Sequence, residues 1–140
     1  MAVNIVGPMI CLREAFKRMS TRYGHSGGSI VNISSLAART GGAGEWVHYA
    51  ATKGAIDTLT IGSAREVANE GIRVNAVSPG LIETDLHATA GAPGRPTRMS
   101  SSIPMQRAGT PEEIAGGVLW LLSAEASYVT GTILEIGGGR

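Results

Sequence analysis

Three short apolar segments alternate with longer segments of helical periodicity along this chain, and this alternation limits the folds available to it. Strands that are separated by helices pair in parallel, because the chain crosses over the sheet between them. We therefore expect an α/β fold in order α-β-α-β-α-β, with a parallel sheet of about three strands covered by helices on both faces. The predicted helices lie at 9–19, 46–70 and 111–123, and the predicted strands at 29–34, 72–77 and 132–136.

Length and composition are those of one globular domain over 1–140. Hydrophobic residues make up 43% of the 140 residues and charged residues 16%, which excludes a disordered chain. The net charge is +1, and no basic run exceeds two residues, so we expect no nucleic-acid partner. No apolar run approaches the roughly 18 residues that cross a bilayer, so we expect no membrane partner.

The single cysteine and the three histidines argue against a metal site. Cys11 alone allows neither an internal disulfide nor a cluster of cysteine ligands. His25, His48 and His87 lack the spacing of metal ligands and are interpreted as loop or surface residues. These features predict no metal, and they fit the reducing cytoplasm.

A Tyr49-Ala-Ala-Thr-Lys53 segment opens the second predicted helix. Residues four apart on a helix share a face, so Tyr49 and Lys53 should lie within a few ångströms of each other. A lysine cation favours the phenolate form of a neighbouring tyrosine, which suits a general acid or base. The same spacing also occurs by chance in many helices, where it means only a surface lysine beside a half-buried tyrosine.

Small and polar residues follow each predicted strand, at Ser34 and Ser35, at Pro79 and Gly80, and at Gly137. Ligands of parallel α/β sheets bind beyond the carboxyl ends of the strands. We therefore expect these residues to border a binding site. Residues 81–104 are polar and irregular, as functional lids often are.

The start of the third helix is marked by Thr110-Pro111-Glu112-Glu113. Thr110 is predicted as the N-cap, Pro111 as the first helical residue, and Glu113 as the second half of a capping box.

Taken together, these segments resemble the short-chain dehydrogenase/reductase family in its ordinary single-domain form. The match extends over essentially the whole chain in the family's order and spacing. The resemblance implies a Rossmann-like sheet, here partial. The matching segments are VNISS (31–35), YAATK (49–53), GIRVNAVSPGLIETD (71–85), IPMQRAGTPEEIA (103–115) and ASYVTGTILEIGGG (126–139).

The resemblance implies an oxidoreductase that transfers a hydride between NAD or NADP and a small-molecule carbonyl or alcohol. Tyr49 matches the catalytic acid/base, and Lys53 matches the residue that tunes it and holds the nicotinamide ribose. Ser35 matches the serine that polarises the substrate carbonyl, and Ser34 is the adjacent family serine. Asn4 resembles the asparagine that holds a water in the proton relay.

The cofactor contacts implied by the resemblance lie after the second strand. Pro79, Gly80, Ile82 and Thr84 match the segment that contacts the nicotinamide and the adjoining phosphate. Residues 85–104 correspond to the variable substrate lid. The choice between NAD and NADP is not readable.

The family's glycine-rich coenzyme loop, which follows its first strand, is absent from this sequence. The chain looks like the second half of the fold, and its first strand is expected to have an open edge. The missing first half has three explanations: the sequence is truncated, its reading frame starts late, or a second chain supplies the first half of the fold.

Two alternatives to an active oxidoreductase remain. A catalytically dormant fragment could act only as an interaction or dimerisation module, and a Ser–His hydrolase could use Ser35 and His48. The sequence lacks the GxSxG elbow of many hydrolases. The resemblance also implies a homodimer or homotetramer, formed through the helices at 9–20 and 46–70.

Overall fold

The computed structural model describes residues 1–44 and 46–140. A π-helical turn over Ala2–Val6 precedes the first helix, and tight 3-10 turns cover Thr21–Tyr23, Ala68–Glu70, Ser100–Ser102 and Ala124–Ala126. The helices are α1 (Gly7–Met19), α2 (Ala37–Thr40), α3 (Val47–Val67), α4 (Leu86–Thr89), α5 (Arg95–Met99) and α6 (Pro111–Leu122); the strands are β1 (Gly28–Ile33), β2 (Ile72–Pro79) and β3 (Ile133–Ile136).

The three strands form one parallel sheet in the order β1-β2-β3, as the alternation of strands and helices predicts. The pairing register places Ile33 opposite Val77 and Ala76 opposite Ile133. β2 is therefore the central strand. Within the described residues, β1 pairs on one side only, so its predicted open edge is present.

Alternate residues of β2 face two different layers of helices. Ile72 and Val74 are buried in a cluster with Leu12 of α1 and with Ala64 and Val67 of α3. The residue between them in sequence, Arg73, donates to the carbonyl of Leu121 at the end of α6 over 2.8 Å. Because side chains alternate across a strand, these contacts lie on opposite faces of the sheet. Helices thus cover both faces, as predicted.

Asn75 connects the central strand to the segment that leads into β3. Its side chain is fully buried, its amide donates to the carbonyl of Val129 over 2.9 Å, and its side-chain oxygen accepts from the backbone of Thr132 over 3.1 Å. Both polar ends of the amide are therefore satisfied inside the core.

Several predicted elements differ from the observed ones at their boundaries or in their regularity. The predicted end of the second strand at 77 is wrong, because β2 continues to Pro79, opposite Ile136 of β3. The prediction of irregular structure over residues 81–104 is wrong in part, because this range contains α4, α5 and a 3-10 turn. The first helix begins at Gly7 and has Pro8 in its first turn, directly after the π-helical turn, whose Ala2 carbonyl accepts from the backbone of Gly7.

The predicted capping box of α6 is present. Thr110 accepts from the backbone of Glu113, and the Glu113 carboxylate accepts from the backbone of Thr110. Arg107 also donates to this carboxylate over 2.8 Å. Hydrogen bonds from Arg107 and from the Thr110 backbone lower the pKa of Glu113 to about 2. The start of α6 is therefore fixed by local contacts.

Neither a membrane span nor a cluster of metal ligands is found where the structure describes the chain. No helix there is long and apolar enough to cross a bilayer, and no group of three histidine, cysteine, aspartate or glutamate side chains could hold a metal ion.

We predict that Asn75→Ala lowers the free energy of unfolding by about 2 kcal/mol, because it leaves a buried carbonyl and a buried N–H unpaired. Chemical denaturation measures the effect. Asn69→Ala is the matched control, since Asn69 is exposed in the turn after α3 and its substitution should change stability little. Equal stability of the two variants would contradict the role of Asn75.

Candidate active site

Backbone hydrogen bonds join the carboxyl ends of the three strands. Ser34 donates to the carbonyl of Val77 over 2.8 Å, and Leu36 donates to the carbonyl of Pro79 over 3.0 Å. Gly80 donates to the carbonyl of Ile136 over 2.9 Å. The three strand ends therefore form one continuous edge, as expected of a parallel sheet.

Gly80 and Gly137 approach each other closely at this edge. A Cβ atom on Gly80 would lie 2.7 Å from the Cα atom of Gly137 and 3.3 Å from a methyl carbon of Leu36. Real Cβ atoms do not approach backbone this closely, so glycine at position 80 is a steric requirement. The sequence marked position 80 as a strand end but contained no signal for this contact.

The two serines after β1 have different surroundings. Ser34 is buried, and its hydroxyl donates to the carbonyl of Lys53 over 3.3 Å. Ser35 accepts a hydrogen bond from the backbone of Ala37 over 3.2 Å, at the start of α2. An acceptor role leaves the proton of the Ser35 hydroxyl available to another group. Ser35 is thus the serine that can donate to a ligand.

Tyr49 and Lys53 lie together in the first two turns of α3. The Lys53 Nζ atom is 5.6 Å from the centroid of the Tyr49 ring. The Trp46 ring packs edge-on against the Tyr49 ring, with 6.2 Å between the ring centroids. Trp46 thereby helps to fix the orientation of the phenol. The hydroxyl of Tyr49 has no hydrogen-bond partner among the described residues, which leaves it open to a ligand.

Lys53 connects α3 to the end of β1. Its Nζ atom donates to the carbonyl of Ile33 over 2.8 Å, and the side chain is half-buried. Burial lowers the pKa of Lys53, because the charged form loses part of its solvation, and the nearby carboxylate of Asp57 opposes this shift. The ammonium has three donors, so two remain after the bond to Ile33.

Asn4 reaches the same helix from the π-helical turn before α1. Its amide donates to the hydroxyl of Thr52 over 3.4 Å, and Thr52 in turn donates to the carbonyl of Tyr49 over 2.7 Å. The structure therefore brings Asn4 against the helix that carries Tyr49. Thr52 is not among the predicted site residues, and its only signal in the sequence is its position beside Lys53.

The predicted cofactor contacts differ in their exposure. The carbonyl of Pro79 is already bonded to Leu36, as described above. Ile82 forms an isolated parallel bridge with Gly109, and its carbonyl lies 2.9 Å from the Nε2 atom of His87. Thr84 is exposed and has no hydrogen-bond partner among the described residues. Of the four, Thr84 has the side chain most accessible to a ligand.

A small cavity of about 80 Å³ lies beside these residues. Its apolar wall comes from side chains after β2 and at the end of β3, and its polar wall from the ion pair at the start of α6. The lining includes Leu81, Ile82, Ile136, Gly137, Arg107 and Glu113.

The histidines give no support to the hydrolase alternative. His25 and His48 are exposed, and His48 makes no hydrogen bond with Ser35. His87 is half-buried, with its ring nitrogen against the carbonyl of Ile82 as noted above. None of the three is placed to activate the serine.

The residues at this edge fit the nicotinamide half of a dinucleotide. Lys53 offers two remaining donors, the Tyr49 hydroxyl lacks a partner, and the glycines at 80 and 137 keep the backbone of the strand ends bare of side chains. These are the donors and the open backbone that a ribose and a flat ring require.

We predict that Gly80→Ala destabilises the chain by about 1–3 kcal/mol, because its methyl group collides with the backbone of Gly137. Gly116→Ala is the control, since a Cβ atom at this position in α6 meets nothing within 4 Å. The control should be neutral or stabilising by up to about 1 kcal/mol. Thermal unfolding compares the two, and equal melting temperatures would contradict the close approach at Gly80.

Comparison with known proteins identifies the family of this chain. A family model described as "Enoyl-(Acyl carrier protein) reductase" matches residues 1–140. The chain is 56% identical over 140 residues to "Uncharacterized oxidoreductase YgfF" of Escherichia coli (strain K12), covering 100% of this chain and 57% of that relative. It is 38% identical over 138 residues to a 3-oxoacyl-(acyl-carrier-protein) reductase, FabG of Aquifex aeolicus (strain VF5), covering 98% and 53%.

The fold agrees with this relationship. One solved structure, described as a "short chain dehydrogenase/reductase family protein", superposes with a TM-score of 0.83 at 43% sequence identity and covers 97% of this chain and 54% of that one. The chain thus spans about half the length of the curated relatives that it matches. The resemblance seen in the sequence is confirmed, and the chain belongs to the short-chain dehydrogenase/reductase family.

Proposed function

We propose that this chain carries the catalytic residues of an NAD(P)-dependent oxidoreductase that interconverts a small-molecule carbonyl and the corresponding alcohol. The observation that supports this most directly is the grouping of Tyr49, Lys53 and Ser35 at the carboxyl edge of a parallel sheet. The names of the relatives as oxidoreductases and reductases support the same reaction class.

In the reductive direction, Tyr49 gives its phenolic proton to the substrate oxygen, and Ser35 donates a hydrogen bond to that oxygen. When bound, the nicotinamide supplies the hydride to the carbonyl carbon, so that one hydride and one proton convert the carbonyl to an alcohol. In the oxidative direction, Tyr49 takes the proton back. Tyr49 and Ser35 both act on the substrate oxygen, where negative charge develops during the reaction. A hydrogen-bond donor fixed at that atom stabilises the transition state most.

Lys53 serves two purposes in this proposal. Its positive charge beside the Tyr49 ring stabilises the phenolate that forms when the proton leaves. Its two remaining donors are available to the ribose hydroxyls of the cofactor. Asn4, held by Thr52 against the same helix, is proposed to retain a water in the proton relay.

The remaining assignments concern the cofactor and substrate contacts. Pro79, Gly80, Ile82 and Thr84 are proposed to contact the nicotinamide side of NAD or NADP, largely through their backbone. Residues 85–104, with α4 and α5, are proposed as the lid over the substrate. A cytoplasmic location remains a prediction from the sequence.

An oligomer is proposed through α1 and α3, as a homodimer or homotetramer. Met9 and Ile10 on α1 and Val47 on α3 are apolar side chains that remain exposed. Ala51 and Gly62 add small exposed residues to α3, which allow a partner helix to approach closely. Burial of such surface against a second copy would remove it from water.

A dormant fragment that acts only as an interaction module is the second candidate. One observation favours it: the outer edge of β1 lacks a partner strand among the described residues, and an unpaired strand edge can pair with another chain. Titration of the purified 140-residue chain with NADH and NADPH, followed by nicotinamide fluorescence, separates the candidates. Saturable binding favours the oxidoreductase, whereas a folded chain without binding favours the dormant module.

We predict that Tyr49→Phe lowers turnover by at least about 100-fold, because it removes the proton that the reaction transfers. Binding of the reduced cofactor and the circular dichroism spectrum should remain unchanged, since the ring is retained. The measurement is the rate of cofactor oxidation with a panel of aldehydes and ketones.

The matched control is His48→Ala, which changes the exposed neighbour of Tyr49 and should keep turnover within a few-fold of the parent. Retained turnover in Tyr49→Phe would overturn the assignment of Tyr49 as the acid/base.

A further inference from the structure

Asp57 is an acidic side chain of α3 that the proposed reaction does not use. Its Oδ1 atom is buried and has no hydrogen-bond partner among the described residues. A buried carboxylate oxygen is costly unless something compensates its lost hydration. The position of Asp57 on the helix indicates what that compensation is.

Asp57 lies one helical turn beyond Lys53, as Lys53 lies one turn beyond Tyr49. Residues spaced by four on a helix face the same way, with their Cβ atoms about 5–6 Å apart. The three side chains therefore form a row along one face of α3. The ammonium of Lys53 is the middle member, and its bond to the Ile33 carbonyl holds it over the end of β1.

Charged side chains on the other elements that pack against α3 are already engaged elsewhere. β1 and the π-helical turn carry no charged side chain. The ion pairs are Glu14 of α1 with Arg13, Lys17 and Arg18; Arg39 of α2 with Glu135; and Glu70 of the turn after α3 with Arg22. The Arg73 guanidinium of β2 donates to the carbonyls of Leu121, Ser123 and Val129.

The rest of α3 offers no competing anion near Lys53. Tyr49 is its aromatic neighbour, and His48 is exposed. Arg65 and Glu66 are exposed toward the opposite end of the helix. Among the residues that the structure describes, Asp57 is consequently the carboxylate that faces Lys53.

We propose that Asp57 is a positioning residue for Lys53: its carboxylate keeps the half-buried ammonium charged and leaves it directed at the Ile33 carbonyl and the Tyr49 ring. This inference rests on the proposed function for its catalytic meaning. The two side chains make no direct ion pair, so the carboxylate acts through space. A direct contact would draw the ammonium back along the helix and away from the strand end.

The physical reason is the balance between burial and charge at Lys53. Burial lowers the pKa of this lysine, and Asp57 counteracts that shift. If the carboxylate were removed, the neutral amine would be favoured at lower pH. A neutral amine stabilises a phenolate far less and makes a weaker hydrogen bond to a carbonyl.

The composition of the chain allows a direct test. The sequence contains two lysines, Lys17 and Lys53, so metabolic labelling of lysine Cε with ¹³C produces two NMR signals to titrate against pH. In Asp57→Asn, the midpoint of the Lys53 signal should fall to lower pH, and that of exposed Lys17 should not move. Asp57→Glu should restore most of the shift.

A second variant covers the case in which Asp57→Asn fails to fold. Asp57→Ser also removes the carboxylate, so it should lower the titration midpoint of the Lys53 signal in the same direction.

An unmoved Lys53 midpoint in folded Asp57→Asn or in folded Asp57→Ser would overturn the inference. Neither measurement requires cofactor or turnover, so failure of the proposed function would show itself separately, in the Tyr49→Phe assay. A purely structural role for Asp57 would lower stability without moving the titration of Lys53.

Discussion

Parallel pairing on both edges of β2 is the constraint on which the rest of the structure depends. Val74, Ala76 and Val77 of this strand are fully buried, so their backbone groups must find partners within the protein. β1 and β3 provide those partners, while α1 and α3 cover one face and α6 covers the other. The buried amide of Asn75 adds a side-chain connection to the segment before β3. Without this central strand, the apolar surfaces of α1 and α3 on one face and of α6 on the other would be exposed to water.

The same pairing creates the candidate active site. In a parallel sheet all carboxyl ends lie at one edge, so residues distant in sequence meet there without any direct attraction between them. Gly80 and Gly137 touch through bare backbone, and Ser35 begins the loop beside them. α3 starts above this edge and delivers Tyr49 and Lys53 from a rigid helix. Rigid placement matters because catalysis depends on where donors point before the substrate arrives.

The position of Lys53 at this edge is unfavourable for stability but suits the proposed reaction. Half-burial of an ammonium is unfavourable, yet it places the charge of Lys53 beside the Tyr49 ring. The Ile33 carbonyl and the carboxylate of Asp57 reduce the cost of that burial. The proposed role of Asp57 gives a reason for its unpartnered oxygen, since such exceptions concentrate at functional sites.

The sequence by itself determined the features that depend on near neighbours. The spacing of Tyr49 and Lys53 and the capping box of Thr110 and Glu113 follow from helix geometry within one turn, and strand–helix alternation was sufficient for the parallel sheet. Only the tertiary structure decided the extension of β2 to Pro79, the different surroundings of the two serines, the contact of Asn4 with Thr52 and the burial of the Asp57 Oδ1 atom. Each of these depends on a partner brought near by chain crossover, and local periodicity carries no information about such partners.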